Sequence, residues 1–191
     1  MAVSRRLYLL PLLCCLPLAA EEEGDKKIWN CNWDSSFGAY AQANAPLRDL
    51  KDAMDRRTGF GLGVQWTHDH SDYHASRTRL EYNVFPEGNP VGPQQTQSYA
   101  KNYLLSFDHL FRFNGGPTNV YAVAGLGGVR WVLDQTTGSA TQRLTTTKVA
   151  VAGGIGIQIS GHVNLETRYV LSGIQRTFDS NMLQVSLGWK F

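Results

Sequence analysis

The chain has 191 residues, 18 lysines and arginines against 16 aspartates and glutamates, and three cysteines. That length suits one domain with a full-sized core. Cleavage of a leader carrying Arg5 and Arg6 brings the cations down to 16, level with the acids, so bulk charge gives no case for nucleic acid; Cys31 alone then remains, which excludes an internal disulfide.

Residues 1–20 read as a secretory signal: Arg5 and Arg6, an apolar run from Leu7 to Leu18, then Ala19 and Ala20. Cys14 and Cys15 lie inside the apolar run, so no lipoprotein site is expected. Residues 21–31 form a polar lead-in, with Cys31 in it or at the edge of the first strand. Beyond the leader no apolar run reaches the ~20 residues of a membrane helix. A membrane-spanning form would have to be a closed barrel, the other architecture that pairs every backbone group within hydrocarbon.

Eight strand-like segments follow, at about 32–43, 59–68, 75–85, 98–113, 119–133, 144–160, 162–172 and 181–191. Phe37, Ala39 and Ala41 are the expected outward residues of the first. Phe60, Leu62, Val64 and Trp66 share a face of the second, and Leu80, Tyr82 and Val84 oppose Arg79, Glu81 and Asn83 on the third. In the fourth, His109 shares the face of Tyr103, Leu105, Phe107 and Phe111. The fifth is read with Tyr121, Val123, Val129 and Trp131 outward; Tyr121 and Trp131, ten steps apart, span ~33 Å along the strand and ~25 Å vertically at a tilt of about 40°, the height of an apolar band between aromatic girdles. The sixth sets Val149, Val151, Ile155, Ile157 and Ile159 against Lys148, Ala150, Ala152, Gly154 and Gly156, and the seventh sets Val163, Leu165, Tyr169 and Leu171 against Asn164, Glu166 and Arg168. The last alternates strictly, with Leu183, Val185, Leu187, Trp189 and Phe191 on one face.

Connections 44–58, 86–97, 134–143 and 173–180 are long, and those between them are short, the alternation of an outer-membrane barrel. In 44–58, Asn44 is placed to cap a short helix carrying Leu47, Leu50 and Met54 at helical spacing.

These features resemble the small eight-stranded outer-membrane barrels: the OmpA-like transmembrane domain and its OmpX and opacity-protein relatives. The resemblance rests on Ala152-Gly153-Gly154-Ile155-Gly156-Ile157, on Asn164-Leu165-Glu166-Thr167-Arg168-Tyr169 and on Val185-Ser186-Leu187-Gly188-Trp189-Lys190-Phe191, and covers roughly residues 32–191. It implies an all-β, eight-stranded antiparallel up-and-down transmembrane barrel in the outer membrane of a Gram-negative-type bacterium. It also implies outer-membrane lipid and the barrel-assembly machinery as partners, the latter reading the closing strand, with Trp189 and Phe191 as its signal and Tyr121 and Trp131 completing the girdle. No peptidoglycan-binding domain is expected after the barrel, and no wall-anchoring role is implied. A monomer without nucleic acid or cofactor is expected.

Arg77, Arg79, Glu81, Asp108, Arg130, Lys148, Glu166, Arg168 and Lys190 fall on the expected inward parity. Eight strands leave room for little more than side chains, and charges there must be paired or wet. The two readings are a salt-bridged plug and a narrow path for small solutes or ions. Small inward residues, Gly61, Gly63, Ala122, Ala124, Gly128, Ala150, Ala152, Gly154 and Gly156, suit either a wet pocket or the long cationic stems. His68, His70 and His74 are candidate metal ligands, set against an ordinary polar turn. Some barrels of this size modify lipid A, which needs a serine, a histidine and an acid within reach; His70, Ser71 and Asp72 are merely adjacent, and Ser106 opposes His109 in parity. Arg56, Arg57, Arg143 and Arg176 would sit near the outer surface, where lipid phosphates can pair with them. The expected role is structural or surface-interacting and non-catalytic, with a polar plugged interior; a narrow pore and a lipid A-modifying enzyme are the alternatives.

Overall fold

A computed structural model describes residues 35–90, 96–116, 118–172 and 179–191. The expected leader and lead-in, with Cys31, and the loop residue Arg176 lie outside the described residues. The elements are β1 (Ser35–Pro46), α1 (Arg48–Ala53), β2 (Gly59–Asp69), β3 (His74–Phe85), β4 (Thr96–Arg112), β5 (Asn119–Thr137), β6 (Ala140–Gln158), β7 (Val163–Leu171) and β8 (Met182–Lys190). Neighbours in sequence pair antiparallel, and β8 closes on β1 from Gly38↔Lys190 to Pro46↔Met182, giving a closed eight-stranded up-and-down barrel. Closure leaves no sheet edge to satisfy in lipid. Among the described residues no helix is long and apolar enough to cross a membrane; the strands do the crossing.

Alternation along each strand sorts the side chains. Phe37, Phe60, Leu62, Trp66, Leu80, Leu105, Phe107, Leu126, Val149, Ile155, Leu187, Trp189 and Phe191 are all exposed on the outer wall. An apolar surface this continuous is far beyond what a water-facing wall tolerates, and it fits acyl chains. Tyr82 and Tyr103 lie 5.0 Å apart near one rim, and Phe37 and Phe191 lie 5.7 Å apart near the other.

One strand faces the other way from expectation. On β5, Tyr121 and Trp131 are buried, whereas Leu126 and Arg130 are exposed. Directly paired residues share a face, and the ladder pairs Asp108 with Gly125, Leu104 with Val129 and Tyr103 with Arg130. Asp108 inside therefore forces Gly125, and with it Tyr121 and Trp131, inside. Arg130 leaves the interior set, as do Ala122, Ala124 and Gly128. The Tyr121–Trp131 ruler measured the inner wall. On the lipid face, Tyr103 and Phe111, eight steps apart on β4, give about 27 Å along the strand and about 20 Å vertically.

Two loop expectations also change. The 134–143 segment is a ribbon: β5 and β6 stay paired from Leu133↔Leu144 to Thr137↔Ala140, and only Gly138 and Ser139 turn. Gly138 takes φ 59°, the left-handed value that such a two-residue turn requires and that glycine adopts without steric cost. Asn44 is no helix cap. It belongs to β1, and Leu47 is the N-cap residue of α1, with no side-chain cap hydrogen bond. The Leu50/Met54 pattern does mark the helix, and both side chains are fully buried in the mouth of the barrel.

Candidate functional site

The lumen is built in layers between a turn end, with its short connections, and a loop end bearing α1. At the turn-end mouth Asp69 on β2 pairs with Arg112 on β4. Lys190 and His162 line the same opening, a cavity of about 350 Å³.

Above it lies a lattice of six charged side chains, each at most 2% exposed. Strand β3 contributes Arg77, Arg79 and Glu81 at two-residue spacing, β4 contributes Asp108, and β7 contributes Glu166 and Arg168. Arg77 bonds Asp108 at 2.9 Å and Glu166 at 2.8 Å. Arg79 reaches Glu166 at 2.5 Å and Glu81 at 3.2 Å. Arg168 joins Glu81 at 3.1 Å and Asp108 at 3.0 Å. Three guanidinium forks meet three carboxylates, so the layer has no net formal charge and every ion contacts at least two of opposite sign. Burial of isolated ions is very costly; this arrangement is the form in which it is tolerated. Tyr121 donates to Glu166 at 3.0 Å, and the Tyr40 ring lies 3.9 Å from the Arg79 guanidinium carbon. Gly63 and Gly156 make room for these rings: a methyl group on either would run into Tyr40 or Tyr121.

An amide layer comes next. Gln42 and Gln184 donate to Glu81 at 2.9 and 2.8 Å. Gln42 and Asn44 also donate to Asn83, whose own amide donates to Asn102 at 2.9 Å. Neutral amides thus fill the carboxylate's remaining acceptor sites without adding charge. The final layer is apolar, with Phe85, Leu104, Val129, Val170 and Met182 buried beneath Leu50 and Met54.

The sequence marks the six lattice charges by parity alone but not their partnership, because contacts between β3 and β7 span opposite walls. Lys148 and Lys190 stand apart from the lattice near the two mouths. The amide layer is not marked as a unit in the sequence: Gln184 lies on a strand that alternates strictly, whereas Gln42 and Asn102 lie on β1 and β4, where the alternation is weaker.

Among the described residues the three candidate histidines bond different partners. His68 and His70 lie 5.1 Å apart ring to ring, but His68 bonds Ser35 Oγ at 2.9 Å and His70 Nε2 bonds Ser76 Oγ at 3.0 Å. His74 turns to His109 on β4, Nδ1 to Nε2 3.3 Å. Among the described residues no group of three or more histidine, cysteine, aspartate or glutamate side chains is placed to hold a metal. Ser76 and His70 form a nucleophile–base contact on the outer wall, yet no carboxylate hydrogen-bonds His70 among the described residues.

Comparison with known proteins agrees with this architecture. No curated protein is significantly similar in sequence. Among solved structures, the chain is similar to Ail, the attachment invasion locus protein of Yersinia pestis, crystallised with the heparin analogue sucrose octasulfate (TM-score 0.57, 14% identity, 82% of this chain and 97% of that one). The N-terminal β-barrel domain of Pseudomonas aeruginosa OprF matches with TM-score 0.57 and 11% identity over 82% of this chain and 97% of that one. The outer membrane enzyme PagL matches with TM-score 0.53 and 14% identity over 81% and 98%. At these identities the likeness is one of fold. The sequence itself matches the family described as outer membrane protein beta-barrel domain over residues 9–191, and the chain belongs to that family.

Proposed function

We propose that this outer-membrane barrel neither conducts nor catalyses, and that it acts at the cell surface through its loop end. The carrying observation is the charge lattice across the lumen. Beneath it, between Arg77, Tyr121 and Lys190, the free space is about 10 Å³, scarcely room for one water. A hydrated ion would have to break several buried Arg–carboxylate contacts to pass, and α1 closes the loop end with Leu50 and Met54.

A catalytic reading needs a base oriented by a third group, and the Ser76–His70 contact lacks one among the described residues. The loop end carries exposed Arg48, Arg56, Arg57 and Arg143. Arg48 and Arg143 are held by Asp179 and Asp134, so Arg56 and Arg57 offer the freer charge for lipid phosphates or a surface partner. Ail, crystallised with a sulfated sugar analogue, is in keeping with a surface role for barrels of this build. Outer-membrane lipid surrounds the belt, the assembly machinery engages β8 and Phe191, and the barrel works as a monomer.

Planar-bilayer recording of the refolded protein tests the closed lumen: silence is expected, and steady single-channel steps overturn it in favour of a narrow pore. Mass spectrometry of lipid A from cells with and without the protein tests catalysis. An unchanged acyl pattern is expected, and a lost or altered chain overturns the reading.

A further inference from the structure

Arg130 stands on the lipid-facing wall without a partner. It is exposed on β5 and makes no ion pair or hydrogen bond among the described residues. A cation is costly on the lipid face at mid-wall and becomes tolerable toward the interface, above all where it meets an anion. The outward faces of β4, β5 and β6 carry one acid, Asp134. It lies ~13 Å along β5 from Arg130, and it already accepts two hydrogen bonds from Arg143, at 2.7 and 3.0 Å.

Toward the turn end from Arg130 the same wall is grooved. One ladder rung runs Leu80–Leu105–Gly128–Val149, and the next runs Thr78–Phe107–Leu126–Val151. Gly128 is exposed, with nothing within 4 Å of where a methyl group on it would lie. The outcome is an apolar groove of about 460 Å³, with Phe107 and Leu126 at its lower end and Tyr103, Arg130 and Thr147 at its upper end. From Leu126 to Arg130 it extends ~13 Å along the strand and ~10 Å vertically at a tilt of about 40°. The upper end is level with the Tyr82–Tyr103 pair of the loop-end belt, the head-group region of the membrane.

Inside a bilayer an acyl chain already has apolar neighbours, so the groove offers it closer dispersion contact and little else. The head group decides which lipid stays. Arg130 selects an anion, and a guanidinium fork matches two phosphate oxygens. A phosphate monoester carries about −1.5 to −2 charges at neutral pH, more than a diester, and draws the arginine harder. Thr147, paired with Arg130 on β6, exposes a hydroxyl as a further donor. The loop end is the outer end of the barrel, so the leaflet at this level is the outer one. We propose that the groove holds one molecule of a phosphorylated glycolipid of the lipid A class. One acyl chain lies over Gly128 between Leu105 and Val149, and a sugar phosphate accepts hydrogen bonds from Arg130. The groove is outside the wall, so this binding is independent of the closed lumen and of a partner at the loops.

Native mass spectrometry of the refolded barrel, released from detergent micelles containing hexa-acyl lipid A and excess phosphatidylcholine, counts the lipids that stay bound. The expected result is one lipid A per barrel at collision energies that strip phosphatidylcholine. Lipid A with both phosphates removed should be retained ~10-fold less, and Arg130→Gln should lose lipid A by a similar factor. Arg130→Lys, which keeps the charge without the fork, should fall between parent and Arg130→Gln. Gly128→Leu, which fills the groove, should weaken retention severalfold. A variant with both Arg56→Gln and Arg57→Gln should retain lipid A as the parent does. The proposal fails if no lipid A outlasts phosphatidylcholine, or if the dephosphorylated form stays as firmly as the phosphorylated one. It fails if phosphatidylglycerol in place of lipid A is held equally well, since the wall then takes any anionic lipid. It fails equally if the Arg56/Arg57 variant loses lipid A while Arg130→Gln keeps it, since the phosphate then sits on the loops. Should Gly128→Leu not fold, the Arg130 series still decides.

Discussion

The two halves of the lumen are closed by different physics. Toward the turn end, six ions occupy one layer and each requires partners at fixed distances, so Arg77, Arg79 and Arg168 fill the cross-section with directed contacts. Toward the loop end, Phe85, Leu104, Val170 and Met182 pack without directional demands, and a cavity of about 350 Å³ survives on that side. Charge compensation fixes where each side chain goes; apolar packing in a rim roofed by a six-residue helix does not. The rigid half is thus the seal, and the looser half leaves space beside its packing.

Breaking the seal should produce the largest effect. Glu166→Ala leaves Arg77 and Arg79 each short of a carboxylate in a buried layer, which should cost about 3–5 kcal/mol in urea unfolding of the refolded barrel. Glu166→Gln keeps the shape and should lose less. Leu126→Arg probes the face of β5: with Leu126 pointing to lipid, an arginine near mid-wall should cost about 2–4 kcal/mol by the same measurement. A substitution without effect would put that face inside. Gly156→Ala sets a methyl group against the Tyr121 ring and should cost about 1–3 kcal/mol through overpacking. Arg143→Ala, on the exposed ribbon, should scarcely move the midpoint. The Arg143 guanidinium holds Asp134 below the ordinary carboxyl range. The small stabilisation from that pair is therefore present above the unfolded carboxyl's pKa and lost as pH falls through the lower folded value; stability curves of parent and variant should converge in acid.

Much of this was legible in the sequence. Strict alternation in β2, β3, β6, β7 and β8 gave each strand's lipid face, and the same parity put Arg77, Arg79, Glu81, Glu166 and Arg168 inside. On β5 alternation alone misled, because both faces are apolar: Val120, Ala122, Ala124 and Leu126 are no more polar than Tyr121, Val123 and Val129. The inner face of β5 runs through the apolar layer, so its hydrophobicity reports the plug and not lipid. Arg130 held the contrary clue: it pairs with Tyr103 and sits at the belt, where a long cationic stem can reach head groups. The Leu50/Met54 spacing revealed α1. What no local pattern revealed was Trp131 in the buried apolar layer or the amide layer around Asn83, since both depend on which strands face one another across the cylinder.

The central claim is that the charged layer is sealed from water, and side-chain hydrogen exchange at its arginines tests it most directly. With the barrel in nanodiscs transferred to deuterated buffer, the Nε–H signals of Arg77, Arg79 and Arg168 should persist long after those of exposed Arg130 and Arg143 have vanished. Loss of all five on the same timescale would mean that water reaches the lattice, and would contradict the account.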